Sequence, residues 1–245
     1  MNYKRFLYSQ IINDTRAIKR DPLLKYMIFM PIFLSLFMRW LIPILQQSLQ
    51  SNGIDITDYY DLILSYFFLL MCPMVYGMIV GFTLLDERDE MTLFAIQVSP
   101  LNMRTYLLYK LVVPVILSFI SILIVLPLSG LPYPDLNTLI LINIQTTLLS
   151  IMMALILVIY ASNKVEGFVI MKGSGILFLM PTVAYFVDEP WQWLFGIFPT
   201  YWPVKSFWLW YHNDSYLHYY LIGWLILFIS LYYLLKRFTK KIIIM

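Results

Sequence analysis

The chain has 245 residues, of which 61% are hydrophobic, 18% aromatic and only 13% charged, with a net charge of +3. Soluble domains carry roughly 45–50% apolar and about 25% charged residues, so a water-soluble enzyme is excluded and lipid must solvate much of this surface. A single cysteine, Cys72, set in an apolar run, excludes a disulfide framework and a thiolate metal site.

Residues 1–22 are basic and amphipathic, with Phe6, Ile11, Ile12 and Ile18 among polar positions. That pattern reads as a helix lying on the inner membrane surface, not as the short apolar run and small-residue site of a cleavable signal. Long apolar runs follow at 26–45, 62–85, 106–128, 136–161, 168–187 and 219–235. A span needs about 20 such residues, so these six runs and their loops use up the length as a single transmembrane domain over 1–245. Backbone in lipid must satisfy its hydrogen bonds internally, and the alternating segments of a barrel are absent. The expected fold is therefore an all-α polytopic membrane protein with six transmembrane helices.

Charge fixes the expected orientation. One set of flanks holds Lys4, Arg5, Arg16, Lys19, Arg20, Lys25, Arg88, Arg104, Lys110, Lys164, Lys172, Lys236, Arg237, Lys240 and Lys241. The opposite flanks hold only Lys205, with Arg39 inside a span, and collect Asp55, Asp58, Asp61, Asp135, Asp188, Glu189 and Asp214. The positive-inside rule then places both termini in the cytoplasm of a multi-pass plasma-membrane protein. The 86–105 loop is cytoplasmic, and Thr92 to Val98 reads as a short coupling helix ended by Ser99-Pro100, with Asn102 capping the third span. Segment 188–218 is extracellular and holds Trp191, Trp193, Trp202, Trp208 and Trp210. It is expected to dip into the membrane as short helices broken at Pro199 and Pro203, because Trp and Tyr favour the headgroup level. Residues 236–245 form a basic cytoplasmic tail.

The chemistry that is missing narrows the function. Gly167 to Gly175 has Lys172 in the wrong order for a phosphate loop, and there is no nucleophile elbow. His212 and His218 have no accompanying ligand cluster and read as interfacial polar residues. No catalytic residue, metal site or cofactor is expected in this chain. Carriers coupled to an ion gradient show acids at mid-membrane; here every Asp and Glu is placed at or beyond a span end. The energy must come from a partner.

Several polar residues fall inside the runs. Arg39, about 9 Å from the outer end of its span, is either a structural pair with an outer acid or a pathway residue. Lys110 and Lys172 are placed within about one turn of the inner surface, where their heads can snorkel. Gly77-x-x-x-Gly81 allows close helix approach. Asn143, Thr146, Thr147 and Ser150 share one face of the fourth span, either for packing between helices or facing a pathway.

The loop after the second span carries a resemblance. Glu87-Arg88-Asp89-Glu90-x-Thr92-Leu93, followed by Ser99-Pro100-Leu101, resembles the Glu-Arg-Glu-x-Gly-Thr-Leu-like stretch and later Ser/Thr-Pro of the ABC transporter type-2 permeases, with Met91 where that family commonly has glycine. Asn163-Lys164-Val165-Glu166-Gly167 resembles the corresponding stretch of fluoroquinolone-export-type permeases. The resemblance implies a permease subunit of an ATP-driven exporter. It would form a pathway with a second permease, identical or sister, above two cytoplasmic ATPases that hold the ATP and Mg. Glu87, Arg88, Asp89, Glu90, Thr92, Leu93, Ser99, Pro100 and Arg104 would couple to the ATPase, with Lys164 and Glu166 in a second cytoplasmic loop. An amphipathic or apolar cargo, a drug or a membrane-active peptide, fits the aromatic outer segment. The alternative is a membrane assembly or anchoring protein with no pathway.

Overall fold

The computed structural model describes residues 3–93, 96 and 103–243, and every regular element among them is helical. Helix α1 (Tyr3–Arg20) is followed directly by α2 (Pro22–Gln50). The break between them is Asp21, whose carboxylate accepts the free N–H groups of Leu23 and Leu24 at 2.8 and 3.3 Å, with proline at the first helical position. Helix α3 (Ile56–Asp89) opens with a 3₁₀ turn and has a π-helical stretch at Ser65–Leu70. Next come α4 (Met103–Leu128), α5 (Leu136–Tyr160, with an irregularity at Leu148) and α6 (Lys164–Tyr185). A 3₁₀ turn, Trp191–Ile197, leads to the short α7 (Tyr201–Tyr211), and α8 (Leu217–Ile243) closes the chain. Six of these, α2 to α6 and α8, are long and apolar enough to cross a membrane.

Helix α3 is the axis of the molecule. In its most apolar stretch 89% of residues are buried, against 17% in α2 and 28% in α6 and α8. A helix apolar on all sides belongs in a core, and α5 packs along it. The close approach depends on two glycines. A Cβ at Gly77 would collide with the Ser150 carbonyl and stand 2.8 Å from the Met153 Cβ; one at Gly81 would stand 2.7 Å from Leu157 Cδ1. The Gly77-x-x-x-Gly81 motif thus serves packing within one chain. Around this pair, α2, α4, α6 and α8 form a sheath whose outer faces carry Phe29, Phe33, Ile116, Ile120, Val169, Leu221 and Leu225, all exposed.

The aromatic segment before the last span is built differently from the expected headgroup-level helices. Tyr201, Trp202, Val204, Phe207 and Trp208 are buried, so α7 is a plug within the protein, while Trp191 and Trp193 remain exposed. The indole of Trp208 donates to Ser65 Oγ in the π stretch (2.9 Å), and that of Trp202 donates to the Gly196 carbonyl (2.8 Å). Lys205, also buried, pairs with Glu189 at 2.7 Å. Pro203 makes no break: it lies in the first turn of α7, where no helical N–H is needed.

Gly77→Val should lower the thermal midpoint of the detergent-solubilised protein by the equivalent of about 3 kcal/mol, since the opposing atom is backbone and cannot yield. Gly173→Ala, where an added Cβ meets nothing within 4 Å, should leave it unchanged. Fluorescence-detected melting of both variants checks the pair.

Candidate functional site

The charged run that ends α3 divides its side chains among the neighbouring helices at the basic end of the bundle. Glu87 accepts from Lys110 Nζ on α4 at 2.6 Å, and the Tyr106 hydroxyl of α4 donates to the same carboxylate. Lys110 also pairs with Asp14 of α1 at 2.6 Å, and the Tyr109 hydroxyl donates to Asp14 at 3.0 Å. The lysine side chain is 1% exposed. A charge this deep requires partners, and here two carboxylates from two helices supply them. Asp14 is the acid of a helix whose neighbouring Arg16, Lys19 and Arg20 all face solvent, so this cluster clamps the surface helix to the spans.

Arg88 turns the other way and closes the end of α5. Its guanidinium donates to the Ala161 and Val158 carbonyls at 2.7 and 3.3 Å, and Lys241 of α8 donates to Ile159 and Ala161 at 2.7 and 3.2 Å. Those are the last, unpaired carbonyls of a helix, where its dipole also favours cations. Asp86 pairs with Lys164 Nζ at 2.8 Å, Asp21 pairs with it at 2.6 Å, and Asp89 accepts from the Lys164 backbone N–H at 3.2 Å. An acid at the first turn of α6 is favourable for the same dipole reason. Burial tends to raise the Asp21 pKa, but Lys164 and the Leu24 and Leu23 N–H groups outweigh it and hold the carboxyl below the usual range.

The stretch beginning at Asn163 explains itself in the same terms. The Asn163 side chain caps Glu166 N–H at 2.9 Å, and the Glu166 carboxylate accepts from Ser162 N–H at 2.7 Å, a reciprocal cap. Lys164 makes the bridge just described. Gly167 lets α6 close on α3: a Cβ there would stand 2.8 Å from Leu85 Cδ1 and 2.9 Å from Phe82 Cε1.

Beyond the run, Glu90 and Thr92 are exposed and Met91 takes φ +58°, the left-handed conformation suited to glycine. Leu93 and Ile96 are buried. Ser99, Pro100 and Asn102 lie outside the described residues, as does the Arg104 side chain.

Inside the bundle, Asn143, Thr146, Thr147 and Ser150 are all fully buried between helices. Asn143 donates to the Phe119 carbonyl at 3.1 Å, and the three hydroxyls bond back to their own helix. Arg39 is exposed and reaches the Leu128 carbonyl at 3.4 Å, and among the described residues it makes no ion pair. Two readings need correcting. Lys110 does not snorkel; it is the buried hub of the cluster. Asp61, read as an outer-loop acid, lies within α3, 0% exposed, and receives the Tyr185 hydroxyl at 2.9 Å and His212 Nε2 at 3.1 Å. Among the described residues no three His, Cys, Asp or Glu side chains gather to hold a metal.

Sequence reasoning missed Asp14, Asp21, Asp86, Tyr106, Tyr109 and Lys110. Two signals pointed to them: lone acids on an otherwise basic surface helix, and a lysine one turn after a tyrosine inside an apolar run.

A family model described as "Fluoroquinolones export permease protein Rv2686c-like" matches residues 14–235. Two curated relatives, the fluoroquinolones export permease proteins Rv2686c and MT2760 of Mycobacterium tuberculosis strains H37Rv and CDC 1551, are each 28% identical over 232 residues. These alignments cover 94% of this chain and 92% of each relative. No solved structure matches. The chain belongs to the Rv2686c-like export permease family.

Removing the hub charge leaves two partly buried carboxylates facing each other. Lys110→Met should therefore cost about 3 kcal/mol or more and release α1, which limited trypsin digestion at Arg16, Lys19 and Arg20 would register as faster cleavage. Met91→Gly should do the opposite on a smaller scale. Relief of the left-handed strain, about 1 kcal/mol, should raise or hold the thermal midpoint, whereas Met91→Val should lower it.

Proposed function

We propose that this chain is the membrane-spanning permease subunit of an ATP-binding-cassette exporter. Two copies, or this chain and a sister, form the pathway; two separate ATPase subunits, carrying ATP and Mg, dock at the basic end. Both termini face the cytoplasm, a reading supported by the distribution of lysine and arginine. The cargo is an amphipathic, drug-like molecule of the kind after which the family is named.

The observation that carries this reading is how the charged run is used. Glu87 is committed to α4, Arg88 to the end of α5, and Asp86 and Asp89 to α6, while Lys110 carries the tie on to Asp14 of α1. The connector that starts at Glu90 therefore projects from a braced platform, and a force applied to it reaches most of the bundle. Glu90 and Thr92, exposed and without a bracing role, are the side chains left to meet an ATPase. An anchoring protein with no pathway has no need of a connector tied to the spans in this way.

Reconstitution with a candidate ABC ATPase partner, identified by co-purification with this chain, tests the proposal. Export of a fluoroquinolone from proteoliposomes should require both proteins and ATP. The double variant Glu90→Lys/Thr92→Arg should keep its melting temperature and lose at least about tenfold in substrate-stimulated ATPase activity, equivalent to a 1.4 kcal/mol loss of coupling. Unchanged stimulation would remove the connector from the docking surface.

A further inference from the structure

Lys172 and Arg39 are exposed cations set well inside spans, and among the described residues only Arg39 of the two reaches a polar partner, the Leu128 carbonyl at 3.4 Å. The sequence placed Lys172 near the inner surface, but α6 begins at Lys164, four residues earlier than the apolar run suggested. Lys172 thus lies about 12 Å along the span from the Asp21–Lys164–Asp86 bridge, at 1.5 Å rise per residue. That exceeds what its four-carbon stem can span back to the polar level. The side chain is exposed, and among the described residues it has no ion pair, hydrogen bond or aromatic ring against it. The other lysines within the bundle are matched: Lys110 and Lys164 each hold two carboxylates, and Lys205 holds one.

The surroundings are apolar. Val165, Val169, Ile176 and Leu179 share the exposed face of α6 with Lys172. Val169 and Ile176, three residues before and four after it, also form the lip of a groove between α6 and α8. That groove has a volume of about 600 Å³ and is floored by Ile156 and Tyr160 of α5. Gly173, adjacent to the lysine, leaves its wall open, since an added Cβ there would touch nothing. Drug-sized ligands occupy clefts of about 300–1,000 Å³ lined mostly by apolar groups, with a few polar ones to fix orientation. An uncompensated ammonium at this depth is costly in lipid and is characteristic of substrate pathways.

We propose that Lys172 is the anion-recognition residue of the transported cargo. It takes the carboxylate of an amphipathic monoanion whose apolar body lies along the α6–α8 groove. This assignment rests on the exporter reading for its biological meaning, but the binding site stands or falls on its own. The proposal commits to a carboxylate on the cargo; the phosphate of an anionic lipid is the competing source of negative charge.

Equilibrium binding to the purified permease in phosphatidylcholine nanodiscs tests it, with a fluoroquinolone carboxylic acid and its methyl ester as probes. The wild type should bind the acid at least about tenfold more tightly than the ester. Lys172→Met should abolish that preference while leaving ester binding unchanged, and Lys172→Arg should restore it. Nanodiscs containing phosphatidylglycerol should leave the preference in place. Equal binding of acid and ester by the wild type, wild-type acid affinity in Lys172→Met, or loss of the preference to phosphatidylglycerol would each overturn the assignment. Stimulation of the partner ATPase by the same probes is a separate arm. If binding depends on Lys172 as expected but neither probe stimulates the ATPase, the exporter reading fails and the site survives.

Discussion

Placing charge where water is scarce is what this fold is organised around. The bundle is held at its apolar middle by close packing of α3 on α5, but at its basic end the chain buries Lys110 and half-buries Asp14, Glu87, Arg88 and Lys164. Each of these would be expensive alone, and the effective penalty for an unpaired buried ion is several kcal/mol. They persist because each is matched by a partner on another helix. The requirement for partners is therefore also what fixes the helices relative to one another: α1 to α4 and α3 through Lys110, α2 and α3 to α6 through Lys164, and α5 to α3 and α8 through its terminal carbonyls. A single stretch of four charged residues reaches nearly all of them.

This division of labour gives a mechanical meaning to a loop motif. A connector emerging from an unbraced helix end would absorb a push by bending. Here the residues before the connector are spent on bracing, and the left-handed turn at Met91 ends α3 abruptly. Displacement of the connector is thus expected to move the basic ends of several spans together. The opposite end is constrained separately, by the buried α7 plug and by the Asp61, Tyr185 and His212 cluster. The middle of the sheath is left with its apolar faces exposed, interrupted by Arg39, which reaches a carbonyl, and by Lys172, which reaches no partner among the described residues.

The number and approximate place of the spans were legible because an apolar run long enough to cross a bilayer is a strong local signal. The Gly77-x-x-x-Gly81 contact was legible as a packing motif for the same local reason. Helix ends were less so. Pro22, Leu23 and Lys164 belong to helices but not to apolar runs, and that offset is why Lys172 was read about one turn from the end of its run when it lies more than two turns from the start of α6. The bracing network was illegible because its pairs are far apart in sequence: Asp14 with Lys110, Asp21 with Lys164, Arg88 with Ala161. Periodicity along one helix carries no information about which helix lies opposite. The burial of α7 was not legible because Trp and Tyr suit a headgroup layer and a buried packing layer equally well, and the choice is made by neighbours such as Ser65 and Gly196.

The claim that the basic end moves as one body is open to a direct distance measurement. Spin labels at the exposed positions Thr15 on α1 and Leu108 on α4 would report, by double electron–electron resonance, the separation within one permease while the proposed ATPase partner passes between nucleotide-free, ATP-bound and post-hydrolysis states. A distance that stays constant across the cycle, while the corresponding distance between two permease copies changes, is the expected result. A separation within one copy that shifts by several ångströms with nucleotide would contradict the braced platform and leave the charged run as no more than a stabilising feature.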